Sequence, residues 1–359
     1  MMRELTTQWN QRSQGVRLHP DHFRRLNNLR FADDLLIVAT SSSDIRAMLA
    51  DLSEEARGVG LTLHPDKTKV LHNGHGHSRR CRPPQHIQAN GMTIEVLPPF
   101  KSCKYLGRKV QFSDPHGAEL DKRIATAWKK FFSLKQELLC KDYSLHDRLR
   151  LFHGCVTPTA LYGCEAWTLT SELENRLRRT ERHMLRMILG AKRRRQQRAD
   201  STTRDQPDKA DTSNNDARND TTDSSEHGTD TTSDNINLVE ETNDDLEPWV
   251  DWIKRVTAEA RARISQLNIE DWTTTQRRRK FQWAKQVVCG PVDSWAMKVS
   301  LWRPDNDPDG SPHRRPGRQK TRWTDSLRML VMETYGHSDW HRVAATPAWD
   351  DLLNAYIQQ

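Results

Sequence analysis

Two adjacent aspartates, Asp33 and Asp34, stand between the short apolar runs of Arg30-Phe31-Ala32-Asp33-Asp34-Leu35-Leu36-Ile37-Val38-Ala39-Thr40. Such runs joined by turn formers read as a tight hairpin, with both carboxylates at its tip. Neighbouring carboxylates repel, so the pair persists best where a hard cation neutralises it. Hairpins of this kind hold Mg²⁺ (or Mn²⁺) for phosphoryl or nucleotidyl transfer, where two metals clamp the attacking and leaving oxygens. Aspartate is also an ordinary turn former, and taken alone these residues leave a plain turn open.

Two other groupings carry chemistry. His72, His75, His77 and Cys81 form an H-x2-H-x-H-x3-C run beside several glycines. Zn²⁺ takes such ligands, although structural zinc sites more often pair ligands from two elements, and the composition also fits a polar loop. Basic residues cluster at Lys192 to Arg195, Arg277 to Lys280 and Arg314 to Arg322, with Phe281, Trp283 and Trp323 close by. Guanidinium groups next to aromatic rings suit phosphates and unpaired bases. The bland alternative is a solvated charged face.

The elements that must position these groups follow from periodicity. After the hairpin, Ser43 is placed to cap a helix in which Ile45, Met48, Leu49, Leu52 and Ala56 share a face, with Gly58 as its end. Leu61 and Leu63, then Val70 beyond Pro65, read as short strands. Asn73 to Asn90 reads as a loop, and Ile94 to Leu97 with Tyr105 to Val110 as a second hairpin. Three helical stretches come next. Leu120, Ile124, Ala127, Phe131, Leu134 and Leu138 line the first. The second runs from Leu145 toward Val156 and stops at Pro158. Leu173, Leu177, Met184 and Ile188 line the third, which Gly190 ends.

Charge divides the chain further. Of 359 residues, 56 are Lys or Arg and 48 are Asp or Glu. Residues 199–248 hold 15 acidic and 3 basic residues and no Phe, Trp or Tyr, which leaves a net charge of +20 on the remainder. A stretch this acidic and poor in apolar side chains cannot offset its ordering entropy, so it reads as a disordered linker. A sharper reading is an acidic mimic of a nucleic-acid strand, competing for the basic groups it follows. Nine of the twelve tryptophans come after Pro248, which suggests a separate folded module there. No apolar run approaches the ~18 residues of a membrane span, and Met1 to Asn10 has no signal-peptide core. The six cysteines are sparse and contain no C-x-x-C pair, which argues against a disulfide scaffold and for reduced thiols inside the cell, in nucleus or cytoplasm.

In order, the chain carries Leu29-Arg30-Phe31-Ala32-Asp33-Asp34, a helix, Gly60-Leu61-Thr62-Leu63-His64-Pro65-Asp66-Lys67-Thr68, and Lys104-Tyr105-Leu106-Gly107. This series resembles the back half of the palm of non-LTR (LINE-type) retrotransposon reverse transcriptases. Ala160-Leu161-Tyr162-Gly163-Cys164-Glu165-Ala166-Trp167 and Met184-Leu185-Arg186-Met187-Ile188-Leu189-Gly190 resemble segments that follow that palm. Arg314-Arg315-Pro316-Gly317-Arg318, leading to Thr321-Arg322-Trp323, resembles a basic stretch of their distal region.

By that resemblance, Asp33 is the metal-ligating aspartate of motif C and Asp34 its supporting neighbour. Phe31 and Ala32 set the hairpin against the primer terminus. Lys67 matches the motif D lysine, where an ammonium neutralises charge on the departing pyrophosphate. Tyr105, Leu106 and Gly107 match the primer-grip hairpin of motif E. Lys192, Arg193, Arg194, Arg195, Arg314, Arg315, Arg318 and Arg322 are the candidate nucleic-acid contacts. The implied partners are an RNA template and a DNA primer, with no membrane.

The family also needs a carboxylate from motif A on a separate strand, and the fingers with motif B. Only Glu4 and Asp21 are acidic before Asp33, and Asp21 is too close to leave room for an intervening helix and strand. The expectation is an incomplete site with weak Mg²⁺ binding, inactive alone, to which a separate upstream fragment could contribute in trans. A non-catalytic RNA- or DNA-binding remnant of a retroelement is the alternative. The expected fold is α+β: a partial palm over 1–111, a helical thumb-like region over 112–198, the acidic linker over 199–248 and a Trp-rich basic helical module over 249–359.

Overall fold

The computed structural model describes residues 1–18, 24–73, 84–194, 246–267, 269–302 and 321–358. The chain is α+β, and its packing divides into two units. One comprises Met1–Gly190 with Ala260–Gln359, and the other Ala191–Glu259.

In the first unit, α1 (Met2–Gln11) buries Leu5 and Trp9, one helical turn apart on a single face. Trp9 donates its indole N–H to Asp51 at 3.0 Å, and Arg12 reaches the same carboxylate at 2.7 Å. Asp51 lies on α2 (Ser42–Gly58), which buries Met48, Leu49, Leu52 and Ala56 as its periodicity predicts. The cap of α2 is Ser41 rather than Ser43. Ser41 Oγ accepts from Asp44 N–H at 3.0 Å, and Ser43 is left to hydrogen-bond Ser41. An N-cap side chain bonds the N–H groups two or three residues ahead, so a cap one residue ahead of the helix fits here.

β1 (Asn28–Phe31) and β2 (Asp34–Ile37) form the expected antiparallel hairpin. Leu35 and Ile37, two apart on β2, pack against the core of α1 and α2. The second sheet differs from expectation. β3 (Lys69–Leu71) runs parallel to β5 (Met92–Leu97), and β4 (His86–Ala89) hairpins with β5 through Asn90-Gly91. Residues 86–89 are therefore a strand, with Ile87 and Ala89 buried against Ile94 and Leu49. Asn90 and Gly91 have φ of 48° and 77°, the both-positive pattern that Asn-Gly hairpin turns require. Ile94–Leu97 thus pairs with β4, while β6 (Cys103–Tyr105) pairs with β7 (Arg108–Val110). Leu61 and Leu63 are not in strands; Leu63 packs from irregular chain onto the α1–α2 core.

The helical stretches are α3 (Pro115–Ser133), α4 (Lys135–Leu139), α5 (Leu145–Leu151), α6 (Thr157–Ala160) and α7 (Ser171–Leu189). Pro158 does not stop the second stretch. A π-turn over Phe152–Val156 connects α5 to α6, with Thr157 N–H donating to Phe152 O. That widened register disposes of the carbonyl clash and missing donor a proline brings to an α-helix. Gly190 ends α7 with φ of 60°.

Beyond these lie α8 (Trp249–Gln266), α9 (Trp272–Cys289), α10 (Trp295–Leu301), α11 (Asp325–Tyr335), α12 (Trp340–Ala344), α13 (Ala348–Asp351) and α14 (Leu353–Gln358). The tryptophan-rich region is not a module apart. Trp272 is fully buried in one core with Phe131, Phe152, Leu161 and Met184, and stacks on Phe152 at 5.9 Å. The second half of α9 builds a further core, Phe281 and Ala284 with Leu327, Val331, Trp340 and Trp349. Clustered tryptophans signal a core without saying which helices share it.

Candidate functional site

The first hairpin turns on two residues, Ala32 and Asp33, since Phe31 pairs with Asp34. Asp34 is therefore the first residue of β2, and the expected Asp-Asp turn is shifted by one residue. Ala32 has φ of 50°, a region costing an L-residue about 1–2 kcal/mol. Both carboxylates are exposed, and neither makes a hydrogen bond or ion pair with a described residue. Phe31 beside them is 65% exposed.

The second hairpin presents the turn Leu106-Gly107, with φ of 46° and 76°. Its two carbonyls are both taken. Tyr162 Oη donates to Leu106 O at 3.3 Å, and Lys122 Nζ and Arg123 Nη2 donate to Gly107 O. Glu119, fully buried, accepts from Arg123 Nε at 2.6 Å and from Lys109 N–H at 2.5 Å. The Arg123 guanidinium in turn lies 4.5 Å from the Tyr162 ring centre. The turn is thus held from α3 and from the segment after α6. Leu106, with a positive φ, keeps that conformation because surrounding groups fix it.

Charge ties the hairpins together. Burial and, after it, the negative charge of Asp34 push the Tyr105 phenol up from its ordinary range. Burial also holds Lys122 below the ordinary lysine range, helped by the positive charges of Arg123, Lys104 and Lys109 and opposed by Glu119. The Asp34 charge therefore bears on Tyr105 of the second hairpin, whose flank carries the positive groups of Lys104, Lys109, Lys122 and Arg123.

Lys67 is exposed in the turn after His64, where its backbone N–H donates to His64 O at 3.2 Å. No contact among the described residues brings its side chain to Asp33 or Asp34.

The basic clusters fare unevenly. Arg277 pairs with Glu174 at 2.6 Å, Arg278 pairs with Glu270, and Lys280 is buried on Ser326 at 2.9 Å over the Trp323 ring. Burial pulls the Lys280 ammonium down to about 8. Phe281 is buried and stacked on Trp349 at 4.1 Å, and the Trp323 indole donates to Glu165 O at 2.7 Å. These residues build the fold; Arg279 and Trp283 remain toward the surface. The cluster that looked like a contact surface is mostly internal ion pairing. Arg322 is half-buried, its backbone N–H bonded to Asp325 at 2.7 Å.

In the second unit, Arg193 Nε donates to Glu247 O at 2.8 Å and Arg194 N–H to Glu247 Oε1 at 2.9 Å. Glu247 N–H returns to Arg194 O at 2.8 Å, Arg255 pairs with the Glu247 carboxylate, and Arg255 reaches Lys192 O at 3.1 Å. The Arg255 hydrogen bond first, then the Arg194 N–H, hold Glu247 down at about 2. Asp21, His75, His77, Cys81, Arg195, Arg314, Arg315 and Arg318, and the acidic stretch up to residue 245, lie outside the described residues.

Among the described residues no group of three or more His, Cys, Asp and Glu stands together as a metal site, and no helix is long and apolar enough to cross a membrane. Asp33 and Asp34 offer hard oxygen donors suited to one Mg²⁺ that keeps most of its waters.

A carboxylate-tipped hairpin, a helix and a second hairpin follow one another in this order within residues 1–110. Residues 1–110 match the family model described as reverse transcriptase (RNA-dependent DNA polymerase). A transposon-derived protein of Caenorhabditis elegans is 26% identical over 311 residues, 86% of each chain. The retrovirus-related Pol polyprotein of the type-1 retrotransposable element R2 of Popillia japonica is 27% identical over 197 residues, 51% of this chain and 30% of its own length. No solved structure gives a significant match. Residues 1–110 are thus a reverse-transcriptase domain, in a chain similar along most of its length to a transposon-derived protein and over half of it to a retrotransposon Pol polyprotein.

Sequence reasoning missed Glu119, Lys122 and Arg123 as supports of the second hairpin. The signal was present: Glu119 and Arg123 are four apart on a helix capped by Asp114, whose side chain accepts from Gly117 N–H at 2.9 Å. Nothing in the sequence, however, aims that pair at Gly107.

Proposed function

We propose that this chain binds a DNA primer paired to an RNA template, with residues 1–111 as the partial palm and the helices after Phe112 as its thumb. Asp33 and Asp34 form one side of a site for Mg²⁺ or Mn²⁺. Tyr105, Leu106 and Gly107 hold the primer backbone, with Lys104, Lys109 and Lys122 facing its phosphates. The observation that carries this reading is the second hairpin, whose turn is held by Tyr162, Lys122 and Arg123, with burial, and after it an Asp34 charge near enough to act, raising the Tyr105 phenol. A polyanion that must present one end to a metal needs cations along its backbone and carboxylates at that end.

A divalent ion there would neutralise charge on the reacting phosphate. Clamping two ions takes carboxylates from a second strand, and Asp33 and Asp34 by themselves supply one hydrated ion. The proposed role of this chain alone is therefore binding without extension. Lys67 then acts through the incoming nucleotide only in a completed site.

Two measurements test the reading. Affinity for an RNA–DNA hybrid should fall steeply with salt, because neutralised phosphates release counterions. Primer extension with Mg²⁺ or Mn²⁺ and four nucleotides should give no product. Extension that disappears in Asp33→Ala would overturn the inactive reading, and salt-independent affinity would overturn the binding surface.

A further inference from the structure

Arg279, Gln282, Trp283 and Gln286 lie three or four residues apart along one face of α9. With Glu165 they line a shallow, open groove of about 290 Å³. Trp283 is 38% exposed, while the opposite face of α9 is buried through Phe281, Ala284 and Val287. Arg279 spends one N–H on Leu161 O at 3.3 Å. The segment holding Leu161 and Glu165 also carries Tyr162, whose hydroxyl meets Leu106 O in the second hairpin. One short segment therefore contacts both the groove and the turn assigned to the primer strand.

We propose that this groove takes one unpaired base of a single-stranded RNA, and that it prefers guanine. The proposal rests on the nucleic-acid reading above and adds to it a second contact with its own chemistry. A phosphate is a poor occupant, because the Glu165 carboxylate repels it and Arg279 is partly engaged. An apolar peptide is a poor occupant too, since one indole among two amides and two charges offers little apolar area. A base uses everything present: its face stacks on Trp283, and its edge hydrogen-bonds to the carboxylate and the amides. A carboxylate only accepts. Guanine places two N–H donors side by side, N1–H and the N2 amine, whereas adenine, cytosine and uracil set an acceptor next to their donor.

The test is fluorescence anisotropy of the full chain with short uridine RNAs carrying one central guanosine or one central adenosine. The guanosine RNA should bind at least about fivefold more tightly, the lower end of discrimination by a paired contact. Trp283→Ala should weaken both RNAs about tenfold by loss of stacking and leave the salt dependence unchanged. Trp283→Phe, which keeps a ring, should restore most of the affinity and guards against misfolding of the alanine variant. Glu165→Gln should abolish the guanosine preference. Equal binding of the two RNAs by the unaltered chain, or unchanged affinity in folded Trp283→Ala, would overturn the proposal while leaving salt-dependent RNA binding intact. A chain that binds neither RNA at low salt would overturn the groove and the nucleic-acid reading together.

Discussion

Arg123 stacks its guanidinium 4.5 Å from the ring centre of Tyr162, and these two residues bond the neighbouring carbonyls of a single turn, Gly107 and Leu106. The turn is consequently braced at both of its carbonyls. Its keystone is Glu119, which neutralises Arg123 inside the protein at 2.6 Å.

Replacing Glu119 by Ala strands a buried guanidinium without its counterion, a change that costs about 3–5 kcal/mol. Tyr162→Phe removes only a partly exposed hydrogen bond, worth about 1 kcal/mol. Urea midpoints should rank the two in that order. Tyr162→Phe as costly as Glu119→Ala would mean that the hydroxyl, not the ion pair, holds the turn.

Ala32 sits at φ of 50° in the first hairpin. Ala32→Gly should be neutral or stabilising by up to about 1 kcal/mol, since glycine adopts this conformation without steric cost. Ala32→Val should destabilise, because a branched Cβ makes that region worse. Thermal melting of the pair checks the sign; a more stable valine variant would contradict the turn geometry.

Trp272 stacks on Phe152 and gives its indole N–H to Thr157 Oγ1 at 2.8 Å. Trp272→Ala should cost about 3–5 kcal/mol. The loss should reach the helices on both sides of the acidic stretch, because they share this core. Hydrogen exchange should show amides of α3 and α7 opening together with those of α9. Protection of α7 left untouched would show the two sets of helices to be independent.

The parts of this architecture written locally are those the sequence reveals. Leu120, Ala127 and Phe131 repeat at helical spacing, and they are buried. The Asp33–Asp34 hairpin follows from neighbours within a few residues. What stayed hidden depends on partners distant in the chain: β3 pairs with β5 across more than twenty residues, and Glu119 braces a turn it does not adjoin. The Arg277–Lys280 run shows the reverse error. Its charges look solvated until Glu174 and Glu270 are seen to meet them. Asn90-Gly91 is a turn signal within the sequence itself, and it is what makes residues 86–89 a strand rather than a loop.

Glu181 provides a pH test. Burial pushes its carboxyl up to about 8, with the Trp272 N–H opposing and the Asp271 charge adding to the rise. An unfolded glutamate titrates near about 4.3. Between those values the folded chain keeps a proton that the unfolded chain has released, so stability is greatest below the lower value and declines as pH rises toward the upper one. The slope from this group is at most about 1.4 kcal/mol per pH unit. Glu181→Gln keeps an acceptor for Trp272 N–H and should lose that decline. Urea unfolding of both proteins at pH 5 and pH 8 decides it; parallel pH profiles would rule out a buried protonated Glu181.

Arg194 and Glu247 exchange backbone and side-chain hydrogen bonds across an interval of more than fifty residues. Residues on either side of the interval are thus held together at one place. For a chain closed in this way, the entropy of closure grows only logarithmically with length, about 0.6 kcal/mol per doubling. A change in the number of intervening residues would therefore alter the cost of the Arg194–Glu247 contact only slightly, which makes that contact a joint tolerant of insertion.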